Sequence, residues 1–337
     1  METLSDLTFL QLQTRMRGDD VNPFHATAVF RMVHQKSIVL EELPKRVREW
    51  IGGQRTLRPE VVREVASSDG HTRKFVLRFC DGREIETVLM SFQGRNTACI
   101  SSQVGCAMGC VFCATGKMGL LRHLTTGEIV EQVHFLNEIL AQGGEPPIRN
   151  IVMMGMGEPL HNFGPLTAAL EILTDSRGPC ISPTRVSIST VGHVPGIRKL
   201  AKLDQKYSLM VSLHGASDEE RGALIPINKR WPIAELLKTC RDFSRETGRK
   251  VMIAWTLIDG ENDSDDHAHR LAGLLRGMQV HVNLIPLNPT GDFAGRPPPE
   301  ERILSFMRII RDTGGVPVTI RQRRGIDVGA GCGQLVI

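Results

Sequence analysis

The chain has 337 residues, a formal net charge of +4, a pI near 8.7, 41% hydrophobic and 23% charged residues. This is the composition of an ordinary globular protein, with room for one large α/β domain and a small second one. Its apolar stretches, such as Ile151–Met156, are far too short to cross a bilayer, so no membrane association is expected. The opening METLSDLTFLQ lacks the basic-then-apolar pattern of a secretory signal, which makes the cytoplasm the expected location. The mild positive charge permits nucleic-acid binding without requiring it. Eight cysteines in such a chain point to reduced thiols with metal or catalytic roles for some of them.

In chain order, residues 1–92 read as a small α+β unit. Helical patterns cover Leu4–Arg15, Phe24–His34 and Leu43–Ile51, and β-prone runs cover Val61–Ala66, Arg73–Cys80 and Glu84–Phe92. Asp69-Gly70 and Asp81-Gly82 lie between those runs and predict hairpin turns, hence a β-meander. From residue 93 to 337 strands and helices alternate. Strands are expected at Ala98–Ser102, Asn150–Met154, Arg185–Thr190, Ser208–Leu213, Val251–Ile258, His281–Leu287 and Val316–Arg321. Helices fit between them at Thr126–Leu140, Phe163–Thr174, Pro195–Leu203, Ile233–Glu246, Asp265–Arg276 and Pro299–Asp312. Repeated βα units predict an α/β fold with a parallel sheet, wholly or partly closed into a barrel, whose chemistry sits where strands end.

Cys106, Cys110 and Cys113 stand in GCAMGCVFC, on the loop after the first barrel strand, with the spacing CxxxCxxC. Three thiolates can hold three corners of a cubane iron–sulfur cluster and leave one iron open to a small molecule. Phe112 between the last two could shield such a cluster. Zinc, with a fourth ligand from Cys99, Cys80 or a histidine, is the plainer reading, and packed spectator thiols are plainer still. Further on, NIVMMGMGEPL at Asn150–Leu160 is a strand running into a glycine turn, where Glu158 could accept a hydrogen bond from an ammonium. Cys80 and Cys240 read as core thiols, and Cys180 has no assigned role. Glycines at 325, 329, 331 and 333 make the loop around Cys332 mobile on paper.

The cysteine loop and the glycine turn together resemble the radical S-adenosylmethionine (AdoMet) superfamily. CISSQVGC at Cys99–Cys106, MMGMGEPL at Met153–Leu160, VSIST at Val186–Thr190, SLH at Ser212–His214, IPIN at Ile225–Asn228, NLIPLNP at Asn283–Pro289 and CGQL at Cys332–Leu335 narrow the likeness. Over nearly the whole chain it resembles the radical-AdoMet adenine methyltransferases of 23S ribosomal RNA. The main branch methylates carbon 2 of an adenosine in the peptidyl transferase centre and an adenosine beside the tRNA anticodon. A sister branch methylates carbon 8 of the same ribosomal adenosine and confers antibiotic resistance. MMGMGEP sits closer to the first branch and Gly325–Asp327 closer to the second, so carbon 2 is the leading expectation and carbon 8 the alternative.

The resemblance implies a partial (β/α) barrel, a [4Fe-4S] cluster on Cys106, Cys110 and Cys113, and two AdoMet molecules per turnover. It assigns AdoMet contacts to Gly157, Glu158, Ser189, Ser212, Leu213, His214 and Asn288. It makes Cys332 the thiol that is methylated, whose methylene then joins the adenine, and Cys99 the thiol that resolves the adduct with a transient disulfide. Glu86 matches the proton acceptor. Carbon 2 of adenine is electrophilic and cannot attack a sulfonium methyl, so a radical route is a chemical necessity. The implied partners are 23S rRNA and tRNA, with an electron donor such as flavodoxin, and the enzyme is expected to act as a monomer. Two basic clusters, Arg321 with Arg323 and Arg324, and Lys45 with Arg46 and Arg48, are candidate RNA contacts. An alternative of another class is a non-catalytic RNA-binding iron–sulfur protein, against which Cys99, Cys332 and Glu86 argue.

Overall fold

The computed structural model describes residues 2–35, 38–291 and 293–337. Helices α1 (Phe9–Gly18), α2 (Ala26–His34) and α3 (Lys45–Gly52) lead into strands β1 (Glu60–Ala66), β2 (Thr72–Arg78) and β3 (Glu84–Phe92). Next come β4 (Arg95–Cys99), β5 (Gln103–Gly105), the short α4 (Ala114–Lys117), β6 (Leu120–His123) and α5 (Thr126–Gln142). Then follow β7 (Ile148–Met153), α6 (Phe163–Thr174), β8 (Val186–Thr190), α7 (Val194–Ala201), β9 (Ser208–Ser212) and α8 (Asp218–Leu224). The chain closes with α9 (Ile233–Thr247), β10 (Val251–Leu257), α10 (Asp265–Leu275), β11 (Val280–Pro286), α11 (Glu300–Gly314) and β12 (Val318–Ile320).

The helix ends follow local chemistry. Thr125 starts α5 in a capping box with Glu128, Ser264 caps α10, and Gly248 ends α9 in the left-handed conformation. Both Asp-Gly turns are formed, between β1 and β2 and between β2 and β3. Cys80 falls in the second of these, beyond the end of β2, and is therefore exposed rather than in the core. Cys240 is fully buried on α9, as expected.

One ten-stranded sheet runs β1-β2-β3-β4-β7-β8-β9-β10-β11-β12. Neighbours from β4 to β12 are parallel, while β1 to β4 pair antiparallel. β12 does not pair with β4, so the parallel part is an open, partial barrel. The expected boundary near residue 92 is not a seam in the sheet, because Val88 to Phe92 of β3 pair residue by residue with Cys99 to Arg95 of β4. The physical reason is that β4 would otherwise present a row of unpaired backbone groups. Helices cover the outer face in the large core, while Met210, Ala254 and Ile285 form a separate apolar cluster, joined by Met154 and Met252.

The first barrel strand ends at Cys99, earlier than the expected Ser102. Ser101 N–H instead donates to Gln132 Oε1 at 2.7 Å, and Ser101 Oγ accepts from Met156 N–H at 2.8 Å. The chain there leaves the sheet to support the turn after β7. No sequence pattern marks the β5–β6 hairpin. Gly105 allows it: a Cβ at that position would lie 1.9 Å from the Gly119 carbonyl oxygen.

Removing residues 1–92 is expected to leave β4 as a bare edge and to yield an aggregated fragment. A soluble, monodisperse 93–337 fragment in size-exclusion chromatography would refute the structural dependence of the barrel on the meander.

Candidate active site

The β5–β6 hairpin holds the cysteine loop. Cys106 N–H donates to Gly119 O at 2.9 Å, and Cys113 N–H donates to Cys110 O at 3.1 Å. Cys106 and Cys110 are buried and Cys113 half-buried, packed on Met108, Leu224, Ile225, Ile258 and Leu287. Burial pushes the Cys106 thiol up to about 12 and drives Cys110 and Cys113 upward too. Against that, Met108 N–H points to Cys106, and the Gly116 N–H with the Thr115 hydroxyl and N–H points to Cys113. Desolvated thiols with amide donors aimed at sulfur suit thiolates held by bound iron, whose charge reverses the penalty of burial. Among the described residues no three His, Cys, Asp or Glu side chains are disposed to grip a single metal ion. Cys80, one of the fourth ligands considered for zinc, is exposed at a turn.

Beside this loop lies a cavity of about 150 Å³ whose wall includes Cys110, Cys113, Gly157, Glu158, Ser189, Ser212, His214, Asn288 and Cys332. Gly157 has φ +100°, and a Cβ there would stand 2.6 Å from Gln103 Cβ, so the turn needs glycine. Glu158 is buried, which raises its pKa to about 7. Its Oε1 accepts from Leu160 N–H at 3.0 Å and its Oε2 from Val191 N–H at 2.9 Å. The carboxylate thus ties the end of β7 to the end of β8, and an ammonium would use the lone pairs that remain. His214 is buried with φ +57°, and its Nδ1 accepts from Thr256 N–H at 2.9 Å. Burial, with Arg221 adding to it, lowers its pKa to about 3, so the ring is neutral. Phe112 packs edge-on against it, 5.2 Å between centroids. Asn288 Oδ1 is buried without a protein partner, while its Nδ2 donates to Cys332 O at 3.1 Å. An unmet acceptor facing this cavity fits a polar ligand such as AdoMet. Leu213 is different: it is buried and not part of the cavity wall.

A second, larger cavity of about 490 Å³ adjoins the first, sharing Met154, Ile285, Asn288, Arg321 and Cys332, and it also contains Cys99. Both thiols are free. Burial pushes Cys99 up to about 12, the neighbouring Cys332 adds to this, and Arg321 opposes it. Arg321 is raised chiefly by Cys332 and then by Cys99. A candidate RNA contact on sequence, Arg321 instead turns its half-buried guanidinium toward the thiols and donates to Met154 Sδ at 3.4 Å. Arg323 and Arg324 do line the outer part of this cavity, with Arg324 stacked 3.8 Å above the exposed Phe92. The other basic cluster is largely engaged: Arg46 pairs with Asp20, Lys45 with Glu49 at 3.8 Å, and Arg48 donates to Glu41 O at 3.4 Å.

The Cys332 loop, glycine-rich as it is, is tied down on several sides. Ala114 N–H donates to Gly333 O at 2.8 Å, and Thr115 Oγ1 to Leu335 O at 2.6 Å, which fastens the loop to the cysteine loop. Gln334 Nε2 donates to Pro289 O at 2.7 Å. On the other side stands Glu86, fully buried on β3 and outside both cavity walls. Its Oε2 accepts from Val336 N–H at 2.8 Å, and its Oε1 lies 2.8 Å from Lys74 Nζ. Lys74 in turn donates to Gly329 O at 3.1 Å. Burial raises the pKa of Glu86, while Lys74 and the Val336 amide pull it back. Sequence reasoning missed Lys74, whose partner is twelve residues away across a strand pair. It also missed Arg221, fully buried, which donates to Asn228 Oδ1 at 2.7 Å and to Val191 O at 2.5 Å below the cysteine loop.

The radical SAM superfamily model matches residues 100–272, so fold and thiol loop together are those of a radical SAM protein. The dual-specificity RNA methyltransferase RlmN 1 of Myxococcus xanthus is 48% identical, over 98% of this chain and 93% of its own length. The probable dual-specificity RNA methyltransferase RlmN 2 of Opitutus terrae is 44% identical, over 99% and 86%. The crystal structure of a radical SAM methyltransferase from Sphaerobacter thermophilus matches with a TM-score of 0.94 at 44% identity, covering 99% of both chains. The chain belongs to the RlmN family of radical SAM methyltransferases.

Lys74→Met leaves the Glu86 carboxylate buried without its cation, a loss of about 3–5 kcal/mol at neutral pH. The folded variant then holds Glu86 neutral, further above the ordinary value of 4.5. The unfolded chain ionises at that ordinary value and the folded chain does not, so the deficit grows as pH rises beyond it and shrinks on acidification. Denaturant melts of both proteins across pH 4–8 check this; a pH-independent deficit would count against it. Gly157→Ala is expected to cost at least 1–3 kcal/mol, from backbone strain alone, and to impair AdoMet binding, measured by equilibrium dialysis.

Proposed function

We propose that this protein methylates carbon 2 of an adenosine in 23S rRNA, and of an adenosine in tRNA, through a methylated cysteine. The observation that carries the reading is the meeting of two free thiols, Cys99 and Cys332, at a cavity adjoining the one bordered by Cys110 and Cys113. A protein that only bound RNA would have no use for such a pair. The names of the relatives, dual-specificity RNA methyltransferase RlmN, support carbon 2 over the carbon-8 alternative.

Cys106, Cys110 and Cys113 would hold the cluster, and Gly157, Glu158, Ser189, Ser212, His214 and Asn288 would hold AdoMet, with Leu213 limited to its backbone. Bound together, cluster and AdoMet supply a one-electron cleavage that yields a carbon radical able to take a hydrogen atom. Cys332 does the carrying. As thiolate it attacks the methyl carbon of a first AdoMet, whose sulfonium–methyl bond breaks to release S-adenosylhomocysteine. After giving one hydrogen atom to the carbon radical its methylene adds to carbon 2, and the ring radical so formed loses one electron, for which the oxidised cluster would be the acceptor, and the proton of carbon 2. Arg321 opposes the upward push that burial exerts on the Cys99 thiol. Glu86 is the proton acceptor that the family pattern assigns; reaching the ring would require it to exchange its bond to Val336 for one to the substrate. Cys99 thiolate then attacks the Cys332 sulfur. The S–C bond breaks, its electron pair leaves with the methylene carbon, which gains a proton to become the methyl group, and a Cys99–Cys332 disulfide forms. That disulfide is reduced before the next turnover, and a one-electron donor such as flavodoxin serves the cluster. The working unit is a monomer in the cytoplasm. No helix among the described residues is long and apolar enough to cross a membrane.

Protein made with active cluster assembly is expected to carry one methyl group on Cys332 by peptide mass spectrometry. RNA from cells expressing it gains 2-methyladenosine; 8-methyladenosine would refute the carbon-2 assignment. Cys332→Ala abolishes the modification, and Cys99→Ala accumulates protein covalently joined to RNA, visible as a nuclease-sensitive band on denaturing gels.

A further inference from the structure

Three adjacent parallel strands carry an arginine at or just before their first residues. Arg95 opens β4, Arg149 is second in β7 and Arg185 immediately precedes β8. The three surround a recess of about 350 Å³, completed by Asn150 and the Gln93-Gly94 turn. Arg149 is there because β7 bulges: Asn96 pairs with Ile148 and Thr97 with Asn150, leaving Arg149 as the extra residue. A bulge of this kind re-aims a side chain and is frequent beside functional sites. Among the described residues none of the three guanidinium groups makes an ion pair or a side-chain hydrogen bond. Three like charges around one hollow repel each other, and an anion relieves that repulsion.

The recess is continuous with the larger cavity, since Arg95 and Asn150 belong to both. Along β4, Arg95, Thr97 and Cys99 share one face of the sheet and all border that cavity. Arg95 and Cys99 lie four residue steps apart, roughly 13 Å at about 3.3 Å per residue. That is comparable to the span from the edge of an extruded base to its own and the neighbouring phosphates.

We propose that the Arg95–Arg149–Arg185 recess is a phosphate subsite, which grips the backbone of the RNA beside the target adenosine while the adenine occupies the cavity bearing Cys99 and Cys332. The subsite rests on the RNA-methylating function argued above. Guanidinium groups suit phosphate because their planar fork bonds two oxygens at once. Such contacts set the depth and register of the strand and carry no sequence information.

The test measures binding of a fluorescent 23S rRNA fragment carrying the target adenosine, by anisotropy over a range of salt concentrations. The proteins are the wild type, Arg95→Gln, the double variant Arg149→Gln with Arg185→Gln, and a control, Arg308→Gln, on the exposed side of α11. Each lost phosphate contact on single-stranded RNA should lower the slope of log affinity against log salt by about 0.7, and weaken binding at low salt roughly tenfold. In the mechanism above, methylation of Cys332 by AdoMet involves no RNA, so it stays at the wild-type level in the double variant and the control, which also reports that they fold. Wild-type slope and affinity in the double variant overturn the subsite, as does an equal fall in the control, which would mean a long-range field only. Should the wild type itself carry no methyl on Cys332, or fail to bind the RNA, the underlying function falls and the subsite with it.

Discussion

The buried contact between Lys74 and Glu86 is the interaction on which the arrangement of the site depends. It joins β2 to β3, and each partner also holds the Cys332 loop, Lys74 at Gly329 and Glu86 at Val336. These anchors lie three residues before and four after the reactive thiol. Neither charge could be buried alone without a large desolvation cost. The ion pair makes the burial tolerable, and the backbone groups of the loop complete it. A glycine-rich segment that would otherwise wander is thereby given one position.

The same contact explains why the meander belongs to the barrel sheet. Were β1 to β3 a separate domain on a linker, Glu86 could not hold a fixed distance from Cys332. By pairing β3 with β4, the chain places the latch and the strand that ends in Cys99 in one rigid sheet. From the opposite side Ala114 and Thr115 fasten the loop to the segment that follows Cys113. Cys332 is therefore referenced both to the segment carrying Cys113 and to Cys99. The proposed radical chemistry would need that arrangement, because a carbon radical must meet its target before it meets anything else.

The two cavities divide the chemistry by polarity. The smaller one gathers Glu158, Ser189, Ser212 and the unpartnered Asn288 oxygen near the strand ends. The larger one runs along the apolar inner face past Met154 and Ile285 toward arginines at its rim. Cys332 stands where they meet. A single thiol thus borders both cavities, as the proposed transfer of a methyl group from donor to base would need.

Much of this was legible in the chain. The strands and helices of the barrel, the Asp-Gly turns, the three-cysteine loop and the Gly157-Glu158 turn are local features, written in contiguous residues whose spacing states their geometry. What misled was also local in appearance. Cys80 reads as part of a strand but sits in the turn, and Arg321 reads as one of a basic run but turns inward to two sulfurs. Lys74, Arg221 and the bulge that frees Arg149 carry no local signal. Their meaning depends on partners brought near by sheet pairing, and pairing register is decided by the whole buried face rather than by any short segment. The sequence by itself determined the elements and the chemical inventory of thiols. Only the tertiary structure decided which thiol meets which, which charges are paired, and which arginines stand open to a ligand, because burial and charge pairing exist only once distant segments share a core.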